Sequence, residues 1–277
     1  MTGHLVLVST PIGNLGDLPP RAVETLRACA LICCEDTRHS GKLLSHAGVS
    51  GVRLAVANEH TEVARTQEVL DLLAAGHDVA IVTDAGTPGI SDPGARLVRA
   101  AVDAGHVVSA VPGPAALVMA LVISGFDTSR FVFEGFVPRS GRERTERLAE
   151  VATERRTIIL YEAPHRVART VTDLTTACGP TRRVALTREL TKKFEEVWRG
   201  TLAEATVHVA TTEPRGEYVL VVEGAPAPTE ADDDAIVAAL HAALGGGADR
   251  RTAIATVMAQ TGAPKRRVYD LALQIPR

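Results

Sequence analysis

Cysteine is scarce and badly spaced for chemistry. The four thiols, Cys29, Cys33, Cys34 and Cys178, form no C-x-x-C pair, and three of them lie in apolar surroundings. That excludes a disulfide framework of the secreted type and denies a metal its usual ligand spacing, so reduced, buried thiols and no metal are expected. A long hydrophobic run is missing too. The longest, AALVMALVISGF from Ala115 to Phe126, falls short of a bilayer span and is followed by charge. The opening MTGHLVLVST lacks a basic start and is too short for a secretory leader, which points to a soluble, cytoplasmic chain with no membrane partner. Charge of one sign does not dominate either. With 30 Lys and Arg against 33 Asp and Glu the net charge is −3, so any basic surface for a polyanion must be local.

What is present reads as an α/β protein. The 277 residues, 45% of them hydrophobic, suit one large or two medium domains with filled cores. In the first half, short apolar runs (HLVLVST, LICCED, RLAVA, HDVAIVTD, HVVSAVP) alternate with segments of helical spacing. Continuous apolar strands between amphipathic helices predict a parallel sheet covered on both faces over residues 1–115. Gly48, Gly76 and Gly105 sit where helices close. The second half differs. RFVFEGFV, RTIILYEA, RRVALTREL, FEEVWRGTL and GEYVLVVEG are five strand candidates, two of them nearly consecutive around TKK. That predicts a second α/β domain, residues 116–224, with a mixed sheet containing antiparallel pairs. A Pro/Ala-rich stretch reads as a linker at 225–232. Three short helical patterns then make residues 233–277 a small helix-turn-helix-like tail.

The loop after the first strand, TPIGNLGD, poses the functional question. It has no Gly-Lys-Ser/Thr ending for a phosphate loop, and Asn14 stands where a dinucleotide fingerprint needs its second glycine. Pro11 removes a further backbone donor. A phosphate cradle is therefore disfavoured, and an ordinary turn stays open beside a different ligand seat. Two other loops favour a seat. TDAGTPGISDPG (Thr83–Gly94) and VPGPAALV (Val111–Val118) both follow the carboxyl ends of strands, where open α/β sheets bind ligands. The first is longer than a plain connection, and its glycines permit close backbone approach. Asp17, Asp36, Asp84 and Asp92, with Glu35 beside Arg38, make the rim acidic. Such a rim suits a ligand that is cationic or rich in hydroxyls and amines.

These loops, in this order, resemble the tetrapyrrole-methylase superfamily, and within it the branch of bacterial small-subunit ribosomal RNA (cytidine-2′-O)-methyltransferases acting at the decoding centre. The resemblance rests on TPIGNLGD, EDTRHSGKLL, TDAGTPGISDPG, VPGPAA, FEGFVPR, YEAPHR, TRELTKKFEE and RGEYVLVVEG, which span residues 10–224. It departs from the branch at Ala115, where a serine is expected. It implies two α/β domains with a cleft between them and S-adenosylmethionine as methyl donor. The donor seat would comprise Pro11, Gly13, Asp84, Ala85, Gly86, Pro88, Gly89, Ile90, Ser91, Pro112, Gly113, Pro114 and Ala115. It also implies 16S ribosomal RNA or the small ribosomal subunit as partner, and a homodimer.

Methyl transfer to a ribose hydroxyl needs alignment and a base that draws off the proton. The candidate catalytic residues are Asp36, Glu189 and Lys192, with Glu35 beside them. Asp36 reads equally well as the N-cap of the following helix, and Lys192 and Lys193 as a solvated turn. For the RNA, positive charge concentrates outside the first domain, which itself holds eight basic and twelve acidic residues. Arg38, Arg139, His165, Arg166, Arg188 and Lys193 are candidate RNA contacts, and Lys265, Arg266 and Arg267 form a compact patch beside Tyr269 in the tail. His165 can equally be the start of a helix, and the tail patch a charged surface without a partner. Two rival readings remain at this level: a methyltransferase of the same fold acting on a tetrapyrrole or corrinoid, and a non-enzymatic RNA-binding assembly protein.

Overall fold

The computed structural model describes residues 2–58, 61–227 and 231–275. The chain separates into two units, Met1–Ala225 and Pro226–Arg277. Residues 228–230 of the expected linker lie outside the described residues.

The larger unit contains two five-stranded sheets. In the first, β1 (His4–Val8), β2 (Leu31–Cys34), β3 (Arg53–Val56), β4 (Val79–Ile81) and β5 (Val107–Val111) are all parallel, in the order β3-β2-β4-β1-β5. The connecting helices are α1 (Pro20–Ala28), α2 (Thr37–His46), α3 (Glu62–Ala74) and α4 (Ala95–Asp103). Every residue of β2 and β4 is buried, as continuous apolar runs require when both faces are covered. The strand period of two divides the side chains. Val6, Val8, Ala80 and Val82 pack with Leu26 in one cluster, and Leu5, Leu31, Ile81, Leu73 and Leu97 in another.

The second sheet is mixed, in the order β6-β7-β10-β8-β9. Its strands are β6 (Phe131–Phe136), β7 (Thr157–Glu162), β8 (Arg183–Arg188), β9 (Glu196–Thr201) and β10 (Tyr218–Val222). Only β6 and β7 run parallel; β10 is antiparallel to both β7 and β8, and β8 to β9. A bulge falls at Glu134 in β6, between Phe133 and Gly135, with Gly135 at φ +64°. One face carries α7 (Pro164–Cys178) and α8 (Leu202–Thr211), through Leu174 and Leu202 against Leu160, Leu186 and Leu220. The other face, Ile159, Ala185, Val219 and Val221, packs against Leu117, Ala120 and Leu121 of α5 (Ala116–Ser124) and Ile12 of the loop after β1. Each such fully buried aliphatic side chain contributes roughly 1.5–3 kcal/mol. This cluster joins the sheets and fixes the loops of the first against the strands of the second. A further helix, α6 (Gly141–Thr153), lies between β6 and β7 in sequence.

The smaller unit has three helices, α9 (Asp233–Gly245), α10 (Arg250–Thr261) and α11 (Lys265–Gln274), around Ile236, Leu240, Val257, Val268 and Ala272. Asp232 and Asp249 cap the first two by accepting from the Ala235 and Thr252 amides at 2.8 and 2.7 Å.

Candidate functional site

Because β4, β1 and β5 are neighbours, the loops leaving their carboxyl ends start side by side, and hydrogen bonds join them into one floor. The Thr10 amide donates to the Gly86 carbonyl at 2.8 Å and the Gly86 amide to the Thr10 carbonyl at 3.1 Å. The Thr10 hydroxyl donates to the Thr83 carbonyl at 3.1 Å. Ser9 Oγ lies 3.1 Å from Thr87 Oγ1, which donates to the Pro114 carbonyl at 3.1 Å. Gly86 has φ +86°, and a Cβ there would stand 3.3 Å from Ile12 Cγ2, so only glycine fits without strain.

Above this floor lies a cleft of about 410 Å³. The first sheet contributes Ile12, Glu35, Asp84, Ala85, Gly86 and Asp92 among its lining; the second contributes Phe136, Tyr161, Glu162, Glu217 and Tyr218. Tyr161 meets Phe133 edge-on at a centroid distance of 4.9 Å and Phe136 at 5.8 Å, and its hydroxyl accepts from the Leu117 amide at 3.2 Å. One wall thus carries the aromatic rings. The other is acidic, and none of Glu35, Asp84 and Asp92 has a cationic partner among the described residues. Burial, then the nearby Glu35 carboxylate, pushes the Asp92 carboxyl up to about 6, against a hydrogen bond from Thr83 that works the other way. Asp84 Oδ1 is buried and has no hydrogen-bond partner. Carboxylates in this condition call for a positive or donor-rich ligand.

A second cavity, about 540 Å³, adjoins the first. The two share Ile12, Asp84, Ala85 and Glu217, but the second is lined also by His39 and Lys42 of α2, by Pro11 and Gly13, and by Lys192. Lys192 comes from the β8–β9 loop, where Glu189 and Thr191 hold φ of +51° and +66°. Strained non-glycine backbone of this kind persists where its surroundings enforce it. Here Lys192 Nζ donates to Glu189 Oε1 at 2.8 Å and to Glu217 Oε2 at 2.6 Å, and Glu189 Oε1 also accepts the Glu217 amide at 3.0 Å. Burial works against the Lys192 charge, but the two carboxylates outweigh it and raise its pKa. The Asn14 amide donates to Thr191 Oγ1 at 3.1 Å, which ties the loop after β1 to this segment. A Cβ on Gly13 would fall 2.3 Å from Lys192 Cγ, so that glycine makes room for the lysine.

The residues singled out in the sequence are partly gathered here. Asp84, Ala85, Gly86, Ile90, Ser91 and Ala115 line the first cavity, and Pro11, Gly13 and Lys192 the second. Pro88, Gly89, Pro112, Gly113 and Pro114 line neither; Gly113 instead lets the β5 loop approach Ser9, whose Cβ would be 2.9 Å from an added one. Asp36 also lines neither. It caps α2 by accepting from the Arg38 amide at 2.8 Å and pairs with the Arg38 guanidinium at 2.9 Å, contacts that hold its carboxyl down to about 2. Of the two readings open for Asp36, capping is the one the geometry carries. Lys192 keeps its proton and donates, so it is not poised to draw one off.

The basic candidates divide sharply. Arg166 bonds the Val137 carbonyl and Glu162, and Arg188 pairs with Glu196 at 2.7 Å. Arg267 pairs with Asp233 at 2.8 Å. Arg139 and His165 are exposed and without an ion-pair partner among the described residues, and Lys193 lies over the exposed Phe194 ring at 5.6 Å. Lys265 and Arg266 are exposed on α11, where Arg250, Arg251 and Tyr269 share a groove with Lys265. Phe136, Tyr161 and Glu217 lay inside quoted motifs but were not singled out. Their signal was adjacency to FEGF, YEAP and RGEY, not a residue type that announces chemistry.

The family model for tetrapyrrole (corrin/porphyrin) methylases matches residues 4–206. The ribosomal RNA small subunit methyltransferase I of Synechocystis sp. is 46% identical over 99% of this chain and 98% of its own length. That of Pseudomonas aeruginosa is 43% identical over 98% and 97%. Among solved structures, the methyltransferase CobJ superposes with a TM-score of 0.61 at 20% identity, covering 81% of this chain and 95% of that one. Uroporphyrin-III C-methyl transferase from Thermus thermophilus, complexed with S-adenyl homocysteine, gives 0.57 at 15% identity over 80% and 97%. At those identities the solved neighbours share the fold. With a family model covering most of the chain and relatives matching nearly all of it, the chain belongs to the tetrapyrrole (corrin/porphyrin) methylase family, in the group of the ribosomal RNA small subunit methyltransferases I.

Proposed function

We propose that this chain transfers a methyl group from S-adenosylmethionine to a ribose 2′-hydroxyl of a cytidine in 16S ribosomal RNA. The observation that carries the reading is the cleft itself: carboxylates without cationic partners among the described residues, on a glycine-bearing floor at the carboxyl edge of a parallel sheet. Those features fit the donor, which brings a cationic sulfur, an amine and hydroxyls. When bound, it supplies a methyl carbon already activated by positive sulfur. Gly86 admits it to backbone distance, and Glu35 and Asp92 favour its charge. Phe136 and Tyr161 give the opposite wall an apolar surface against which the donor can pack. Holding donor and acceptor in line is worth about 7–11 kcal/mol in the best intramolecular cases.

Coverage supports RNA over a macrocycle as acceptor. The methyltransferase I relatives match 98–99% of this chain, whereas the solved corrin and porphyrin methylases match 80–81% of it while spending 95–97% of themselves. The exposed Arg139, His165, Lys193, Lys265 and Arg266 are the groups offered to phosphates. Val118, Met119 and Val122 of α5 are 39%, 39% and 56% exposed, an apolar face that supports a homodimer. Mass-spectrometric mapping of 16S ribosomal RNA from a deletion strain tests the function; a ribose methyl group absent from the mutant and restored by the gene is expected, and an unchanged methylation map refutes it. Titration with S-adenosylhomocysteine tests the cleft, and no heat of binding at millimolar ligand would leave the non-enzymatic reading.

A further inference from the structure

The two cavities meet along one wall, and that wall is where a methyl group would have to cross. Ile12, Asp84, Ala85 and Glu217 line both. The cavities differ in charge: the first shows carboxylates and aromatic rings, the second adds His39, Lys42 and Lys192. Of the shared residues only Asp84 and Glu217 can accept a proton. Glu217 is engaged, its Oε2 taking the Lys192 ammonium at 2.6 Å. Asp84 is not: its Oδ1 is buried without a partner. Its place is fixed by its neighbours in the chain, because Thr83 and Gly86 are both bonded to Thr10.

From this the geometry points to Asp84 as the catalytic base and to the second cavity as the seat of the acceptor nucleotide, with Lys42 and His39 facing its phosphates. The inference rests on the methyl-transfer reading above and goes beyond it by assigning the base. In the step, the acceptor hydroxyl gives its proton to the Asp84 carboxylate, which lines both cavities. The hydroxyl oxygen forms the new bond to the methyl carbon, and the carbon–sulfur electron pair leaves with sulfur as a neutral thioether. A carboxylate becomes a carboxylic acid and a sulfonium a thioether, so charge and atoms balance. Lys192 has a different part: held between Glu189 and Glu217, it stays an ammonium and fixes the Glu217 carboxylate at the wall between the cavities.

The test uses the full chain, S-adenosylhomocysteine as binding probe, and small ribosomal subunits from a strain lacking the gene as acceptor. D84N is expected to bind S-adenosylhomocysteine within a few-fold of wild type. Its single-turnover methyl transfer at saturating donor should fall on the order of 10²–10⁴-fold, with D84E recovering part of the rate. K42E should leave S-adenosylhomocysteine affinity unchanged and weaken subunit binding. Binding of the probe also reports that each variant is folded. A D84N that loses probe affinity in step with rate makes Asp84 a donor contact and overturns the assignment, as does a D84N of full rate. A K42E with unaltered subunit binding removes the second cavity from the acceptor's path. Wild-type protein that transfers nothing to these subunits would refute the methyl-transfer reading itself, a separate outcome from either.

Discussion

The two sheets of the larger unit treat charge in opposite ways. On the first, Glu35, Asp84 and Asp92 reach a cleft without cationic partners, and burial holds one of them near neutrality at mild acidity. On the second, arginines are consumed by structure. Arg144 is 4% exposed and bonds Asp173, Thr170 and the Pro138 carbonyl. Arg182 reaches the Glu223 and Ala152 carbonyls at 3.1 and 3.2 Å, and Arg199 closes the end of α5 through the carbonyls of Ser124 and Ile123. Charge left unpaired in a cleft is available to a ligand. Charge that is hydrogen-bonded on three sides holds elements together and says little about partners.

Breaking the second sheet's arrangement should have the largest effect. Arg144→Ala removes the nearer partner of Asp173, leaves Arg169 at 3.7 Å, and strips the buried hydrogen bonds to Thr170 and the Pro138 carbonyl; it should cost about 2–4 kcal/mol, read as a drop in urea midpoint. A loss under about 1 kcal/mol would mean that this arginine is as dispensable as a surface one. Next comes the floor of the first sheet. Gly86→Val forces a β-branched residue to a left-handed φ and a Cβ against Ile12, so S-adenosylhomocysteine affinity should fall on the order of tenfold or more by calorimetry. Asp92→Asn sharpens the contrast in another way. A carboxyl raised to about 6 favours the folded state fully below its unfolded value near 4, and that contribution is lost as pH rises through about 6. The variant should therefore be more stable than wild type at pH 7, on the order of 1–2 kcal/mol, with a flatter dependence of melting temperature between about pH 4 and 6. The smallest effect on stability, within about 0.5 kcal/mol, is expected for Arg139, His165 and Lys193 changed together to alanine. RNA affinity should nonetheless weaken, with a shallower salt dependence. An unaltered salt slope would place the RNA elsewhere.

Much of the fold was legible because its determinants are local. Apolar runs bounded by turn residues marked the strands, and Gly48, Gly76 and Gly105, at φ +65°, +86° and +77°, close α2, α3 and α4 where the pattern put them. The near-consecutive strands around TKK are the antiparallel pair β8 and β9. The site was legible mainly on its first-sheet side, where one loop carries Asp84 through Ser91, and at Lys192 of the second half. The facing wall depends on pairings between distant segments and on the bulge at Glu134, which shifts the register of β6 before Phe136 and brings Gly135 to Ser91; no periodicity announces that. The arginines of the second half looked alike in sequence because a basic residue that ties two carbonyls has the same letter as one that waits for a phosphate.

The paired bonds between Thr10 and Gly86 have one more consequence. They lock the loops after β1 and β4 together in the protein alone, before any donor arrives. Little ordering entropy is then left for association, and the amide protons of Thr10 and Gly86 should exchange with deuterium slowly in the free protein and scarcely more slowly in the complex.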